Sequence, residues 1–259
     1  MIGYQLKIAL KSLKRNPVLS TLLVLGIGLG IAVSTGFVTT YYMLAQDPIP
    51  EKSDRLFHVQ MDAWDPNRPW DDDDPTEPPD QLTWRDMEAA SASDIPTHKS
   101  GMFKAQLTVH PEGEEARPFR AMTRMCTGDF FPMFEAPFLY GGGWGAGADE
   151  SGEAVVVLRH DVNERLFGGG NSVGRKLRIE DREFTVTGVL APWKPSPKFY
   201  DVTNFQYDKI EEIFLPLALT RPLEVYSSGN TSGWKFDGGD AHEDFLQSEN
   251  TWLQMWVQL

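Results

Sequence analysis

Between Arg15 and Asp47 the chain has no charged residue at all. Val18 to Ala45 is a run of 28 residues drawn mainly from Leu, Val, Ile, Gly, Ala and Thr. Wound as a helix, such a run covers roughly 42 Å at about 1.5 Å per residue. A bilayer core of about 30 Å needs about 20 residues. The spacing therefore predicts a membrane-crossing helix over 18–45, with Tyr41 and Tyr42 near one end, where aromatic rings favour the interface. The competing reading is a cleaved signal sequence with Ala32-Val33-Ser34 as the cleavage site. Signal cores run about 7–15 residues, and this apolar run continues well past that point.

Charge divides the chain at the same place. Residues 1–46 hold four bases, Lys7, Lys11, Lys14 and Arg15, and no acid. The remaining 213 residues hold 37 acids and 20 bases, so a total of −13 is the sum of +4 and −17. The acidic excess excludes a nucleic-acid-binding role, which needs a basic face. The bases before the span and the acidic region after it predict a cytoplasmic N-terminus and an outer region beyond the membrane. At about 100° per residue, Ile2, Leu6, Ala9, Leu10 and Leu13 share one arc and the four bases share the opposite one. Residues 1–17 thus read as an amphipathic helix lying on the inner leaflet, its bases drawn to anionic lipid headgroups. Asn16-Pro17 ends it and starts the next helix. Within the span, Gly26, Gly30 and Ser34 recur every four residues, as do Gly28, Ala32 and Gly36. Small residues at that spacing let a second helix approach closely.

The outer region, 46–259, reads as one unit or two subdomains of mixed strands and helices. Arg55–Met61 reads as a strand and Trp64–Pro79 as a Pro- and Asp-rich loop. Thr83 with Asp86 forms a capping-box pattern at a helix start. Ala105–His110 and Arg117–Arg124 flank Pro111-Glu112-Gly113-Glu114 as a hairpin. Ala154–Leu158 is a buried strand, and His160–Phe167 is a helix stopped by Gly168. Lys176–Ile179 and Glu183–Leu190 form a second hairpin, with Phe184, Val186 and Leu190 on one face. Glu212–Leu217 is a further strand. Strands and helices do not alternate regularly, which predicts an α+β fold.

Six separated stretches carry a family resemblance. Ala154-Val-Val-Val-Leu-Arg-His-Asp-Val-Asn-Glu-Arg-Leu-Phe-Gly-Gly-Gly is followed by Ser172-Val-Gly-Arg-Lys-Leu-Arg-Ile and by Phe184-Thr-Val-Thr-Gly-Val-Leu-Ala-Pro-Trp193. Together with Asp129-Phe-Phe-Pro-Met-Phe, Pro137-Phe-Leu-Tyr-Gly141 and the N-terminal Leu10-Lys-Ser-Leu-Lys-Arg-Asn-Pro17, this resembles the MacB-like periplasmic core domain of ABC transporter permeases of the MacB, LolC and FtsX type. The likeness runs over most of residues 5–217. It implies a permease subunit in a cell inner membrane that works with a partner ABC ATPase and a second permease copy, or a homologous permease. The outer domain of such a permease is driven mechanically, pushing substrate outward or activating a partner. Members of that family carry three further membrane helices. No second run of membrane length follows here, so the chain is expected to be a fragment or a short member whose other helices lie elsewhere.

Several motifs point to chemistry but lack its context. Gly170-Asn-Ser172-Val-Gly174 fits the nucleophile elbow G-x-S-x-G, yet a glycine run precedes it and an alternating strand follows, the reverse of what that turn requires. Gly169 to Gly174 has Walker-like spacing without the Gly-Lys-Ser/Thr that completes a phosphate cradle. Gly141–Gly147 lacks the strand–turn–helix setting of a dinucleotide fingerprint. Asp71–Asp74 reads as a solvated acidic loop, and Asp237, Asp240, His242 and Asp244 as a weak metal candidate. Asn230-Thr231-Ser232 matches a glycosylation pattern. Cys126, the single cysteine, excludes an internal disulfide and a CxxC pair. It reads as a small buried apolar residue. Most of the eight tryptophans read as core or loop caps, and an exposed one would suit a partner or apolar substrate. No catalytic residue, cofactor or metal site is expected. The alternative to a permease is a single-pass anchored scaffold or sensor, and a hydrolase reading rests on Ser172 alone.

Overall fold

Apolar residues at period two, separated by turn-forming glycines and acids, set the outer region's strands. In a computed structural model, which describes residues 2–45, 47–113, 117–235 and 239–259, the chain falls into two units, 1–47 and 48–259. The first unit holds helix α1 (Ile2–Arg15) and helix α2 (Pro17–Leu44). Asn16 separates them in a non-helical conformation, and Pro17 occupies the first turn of α2, where its missing N–H costs nothing.

The second unit is built on strands β1 (Leu56–His58), β2 (His98–His110), β3 (Phe119–Cys126), β4 (Phe138–Gly141), β5 (Val155–Leu158), β6 (Lys176–Ile179), β7 (Arg182–Leu190), β8 (Ile213–Pro216) and β9 (Gln254–Gln258). Between them lie helices α3 (Trp84–Ser91), α4 (Phe130–Met133), α5 (Ala146–Ser151), α6 (His160–Phe167) and α7 (His242–Gln247). The sheet runs β1-β9-β2-β3-β8-β5-β7-β4, and β6 joins β7 back to β2. Strands β2, β3, β8, β5, β7 and β6 therefore close a ring. Only β3 with β8 and β5 with β7 run parallel. This is the mixed α+β architecture that the sequence predicts.

Period two places the core. Phe103, Leu107, Val156, Leu158, Phe184 and Ile213 belong to one cluster, fed by all six ring strands and closed by Trp84 and Met87 of α3, Val162 of α6 and Leu246 of α7. The intervening Met102, Cys126, Val157 and Phe214 belong to a second cluster, covered by Phe130 and Phe131 of α4 and Ala148 of α5. Burying one such aliphatic or aromatic side chain contributes about 1.5–3 kcal/mol. The capping box forms as expected: Thr83 Oγ1 accepts the Asp86 amide at 3.2 Å. Gly168 ends α6 in the left-handed region at φ 75°. In the first hairpin, Glu114 lies outside the described residues, while β2 and β3 pair from Met102 opposite Cys126 to Val109 opposite Phe119.

One face assignment needs correction. Phe184 and Val186 lie in the first cluster together with Val189, whereas Leu190 lies in the second. The register along β5 steps from Val156 opposite Val186 to Val157 opposite Gly188. This inserts one residue in β7 and reverses the alternation beyond it, as a bulge does. Gly188 is needed there, because a Cβ would run into the Gly142 carbonyl and the Phe138 ring. Gly188→Ala is expected to pry β4 from β7 and destabilise the outer unit by about 1–3 kcal/mol. Chemical denaturation followed by tryptophan fluorescence checks this, and an unchanged midpoint would contradict it.

Candidate functional site

Helix α2 has no buried residue, and its Leu22, Leu25 and Val38 are about 60% exposed. It is long and apolar enough to cross a membrane, the one such helix among the described residues. A Cβ placed at Gly26, Gly28, Gly30 or Gly36 meets nothing within 4 Å. With about 100° per residue, the Gly26–Gly30–Ser34 row and the Gly28–Ala32–Gly36 row lie on nearly opposite sides of α2, so two neighbours would be needed to use both. In α1, Lys7, Lys11, Lys14 and Arg15 are all exposed.

In the outer unit, the first residues are docked tightly. Ile49 is buried in the second cluster with Phe130 and Tyr200. Lys52 Nζ donates to the Pro132 carbonyl of α4 at 2.7 Å and pairs with Glu135 at 3.2 Å. The chain then enters β1, which lies antiparallel to β9 with Leu56 opposite Gln258. The Leu259 amide donates to the Arg55 carbonyl at 3.0 Å. Residues 55–58 and 256–259 are thus hydrogen-bonded side by side.

Behind β9 sits a group that sequence reasoning missed. Arg124 of β3 is fully buried, and its Nη2 donates to Asp201 and, at 2.6 Å, to Glu211. Lys198 Nζ lies 3.4 Å from Glu211 and 3.5 Å from Asp201, and Tyr200 donates to Glu211 at 3.1 Å. Gln254 of β9 donates to Asp201 at 2.8 Å. Two cations and two carboxylates balance, and they tie the 191–212 segment to β3 and β9. Burial opposes ionisation of both carboxyls, but the partners together outweigh it: Arg124 with hydrogen bonds from Asn204 and Gln254 holds Asp201, and Arg124 with Lys198 holds Glu211, below the usual carboxylate range. Burial, with Glu211 beside it, pushes the Tyr200 phenol up. Charged residues inside strand and loop text carry no pattern that marks such a group. Sealed and charge-balanced, it suits a structural lock rather than catalysis.

A cavity of about 1200 Å³ lies by α4 and α5. Two of its carboxylates are already committed. Asp129 accepts the Lys99 amide at 2.8 Å and meets His98 Nδ1 at 2.9 Å. Asp149 accepts from the Gly128 amide and Trp144 Nε1, both at 2.8 Å. Burial raises the Asp149 pKa despite those two bonds.

The motifs singled out in the sequence resolve into structure. Ser172 is fully buried and donates to Asn163 at 2.5 Å, while Asn163 Nδ2 donates to the Gly170 carbonyl at 2.9 Å, so this serine braces a turn. Gly143 of the 141–147 run packs on the Phe131 ring. Asp71 and Asp74 accept amides two residues on, in exposed turns. Asp237 lies outside the described residues. His242 is buried with Nε2 3.0 Å from the Val225 carbonyl, and Asp244 accepts the Ala241 amide at 3.4 Å. Among the described residues, no three His, Cys, Asp or Glu gather as a metal site. Asn230 accepts from Gln81 through its carbonyl at 2.9 Å. Cys126 is buried, and burial pushes its thiol pKa up. Trp84 and Trp252 stack in the core at 5.9 Å, and Trp64 and Trp70 meet edge-on at 4.6 Å in the acidic loop.

The lock has a pH signature. Carboxyls with depressed folded pKa values add stability above the unfolded range, about pH 4, and lose it as pH falls through the folded values. Glu211→Gln is expected to cost about 3–5 kcal/mol at neutral pH and to flatten the acid limb of the stability curve. Arg124→Met added to Glu211→Leu should cost less than the sum of the two single changes. Strict additivity in denaturation midpoints would contradict the lock.

These features have relatives. The family described as the MacB-like periplasmic core domain matches residues 20–255. No curated protein matches the chain in sequence. Among solved structures, the periplasmic region of MacB from Actinobacillus actinomycetemcomitans is similar with a TM-score of 0.50 at 13% identity, over 84% of this chain and 79% of that one. The extracellular domain of the ABC-type transporter YknZ from Gram-positive bacteria has a TM-score of 0.44 at 14% identity, over 79% and 81%. At such identities the MacB likeness speaks for the fold. The family is a permease-type domain of transporters that work with ATPase partners, and it supports a permease-related, membrane-associated role. Matched over residues 20–255 and carrying its mixed fold beside one apolar helix, the chain belongs to the MacB-like periplasmic core domain family.

Proposed function

We propose that the chain acts as a transmembrane permease subunit of a MacB-type ABC transporter. In this reading α2 crosses the inner membrane. The exposed bases Lys7, Lys11, Lys14 and Arg15 of α1 hold the cytoplasmic leaflet, and the outer unit stands in the periplasm. ATP hydrolysis by a separate nucleotide-binding subunit moves the outer unit for export or extrusion, and this chain performs no catalysis itself. Gly26, Gly30 and Ser34 seat a neighbouring helix, from a second permease copy or a homologous permease.

The observation that carries this reading is the pairing of an uncharged 28-residue helix with no buried residue and an outer unit of the permease family. The geometry supports mechanical coupling. Ile49 and Lys52 fasten the start of the outer unit to α4, and β1 lies against β9, so displacement of the lead-in segment is passed to the sheet rather than absorbed by a loose linker.

Two experiments test it. Cys126 is buried and serves as a silent background thiol. A membrane-impermeant maleimide should label Ile95→Cys on intact spheroplasts and Gln5→Cys only after the membrane is opened; the reverse pattern would contradict the orientation. The full chain purified from its own membranes should carry an ABC ATPase in fixed ratio, with vanadate-sensitive ATP hydrolysis. A chain that purifies without one would favour the anchored scaffold or sensor.

A further inference from the structure

A second cavity, about 410 Å³, lies between the start of α6 and the 193–210 segment. That volume falls within the range of small-molecule sites, about 300–1000 Å³. Its lining is unusual for this protein. The outer region has nearly twice as many acids as bases, yet Arg159, Lys194 and Lys209 all line this cavity, with His160 beside them. The two acids present are already engaged. Asp161 takes two bonds from Arg159, at 2.5 and 2.8 Å, and Asp208 pairs with Lys104 at 3.5 Å. Among the described residues Lys194 and Lys209 have no ion-pair partner, and both are exposed. The acids thus offset Arg159 and Lys104, and the two lysines are left as uncompensated positive charge at the cavity.

The walls add a second requirement. Trp193 and Tyr207 line the cavity. Trp193 is fixed by stacking on the buried Tyr200 at 5.5 Å. Tyr207 is 57% exposed and meets Phe205, 68% exposed, edge-on at 6.0 Å. Exposed aromatics beside an apolar wall leave area that an apolar ligand body would cover. The segment is also held in place. The Lys198 amide donates to the Gln206 carbonyl at 2.7 Å, and Lys198 belongs to the buried Arg124 lock. The lysines and aromatics are therefore presented on a braced frame, which lowers the ordering cost of binding.

We propose that this cavity binds a compact organic anion with a flat apolar body, the anionic group held by Lys194 and Lys209 and the body laid against Trp193 and Tyr207. Binding of this kind is independent of any transport cycle and stands whether or not the chain is a permease. The larger cavity does not compete as the site for an anion, because four acids, Asp129, Glu135, Asp149 and Glu150, line it against two bases, Lys52 and Lys99.

The test uses the full chain in phosphatidylcholine nanodiscs, with empty nanodiscs as the blank. Naphthalene-2-sulfonate is the anionic probe, and naphthalene-2-sulfonamide is its uncharged counterpart. Calorimetry should show saturable binding of the sulfonate at one site per chain and about tenfold weaker binding of the sulfonamide, as expected for loss of a charge-assisted contact. Lys194→Glu with Lys209→Glu should weaken the sulfonate by about tenfold or more and leave the sulfonamide little changed. Both lysines are exposed, so the double variant is expected to keep the wild-type denaturation midpoint. Trp193→Ala should weaken both probes, while Trp193→Phe retains most of the binding. Raising salt should weaken the sulfonate alone, since the exposed lysines are screened. Absence of saturable sulfonate binding, equal affinity for the two probes, or indifference to the lysine reversals would each overturn the proposal.

Discussion

Twenty-eight residues without a charge, wound as a helix with no buried residue, are the constraint on which the rest depends. Each exposed Leu, Ile or Val on α2 forgoes about 1.5–3 kcal/mol of burial in water. Such a surface is suited to lipid or to another helix. The distribution of charge follows from the same constraint. The +4 of the N-terminal stretch and the −17 of the remainder flank the span, and an overall −13 averages two differently charged regions.

The outer unit is held together by other means. A ring of six strands encloses one core cluster, and a second cluster lies under α4 and α5. The lead-in segment is pinned through Ile49 and Lys52, and β9 lies between β1 and β2. The Arg124 group ties the long 191–212 segment to β3 and β9 at full burial. Such a group offers little net stability over an apolar core, because desolvation offsets attraction. What it does fix is the position of a loop that has little secondary structure of its own. The same bracing sets the frame of the smaller cavity through Lys198 and Trp193 stacked on Tyr200.

Much of this was legible in the residues, for identifiable reasons. Strong periodicity and strong punctuation gave α2, α3, α6 and the β2–β3 and β6–β7 hairpins, because capping by Thr83, the stop at Gly168 and alternation in β7 are local effects. The bulge at Gly188 was not legible, since it depends on the partner strand β5, and so Leu190 was placed on the wrong face. Strand β9 and the β1–β9 pairing were missed for a related reason. Leu56 and Gln258 are brought together by the whole fold, and neither carries a mark of the other. Lys194 and Lys209 look like any surface lysines until the fold sets them beside Trp193 and Tyr207 and occupies the nearby acids elsewhere.

The proposed role makes one central claim: hydrolysis by the partner ATPase displaces the outer unit as a single body. Double electron–electron resonance on the purified complex in nanodiscs tests it most directly. Spin labels at Ile95 and Leu139 of one copy report the shape of the outer unit, and labels at Ile95 in two copies report its displacement. The account expects the within-unit distance to be the same in nucleotide-free and vanadate-trapped states while the distance between copies shifts. A within-unit distance that changes, or a distance between copies that stays fixed through the cycle, would contradict it.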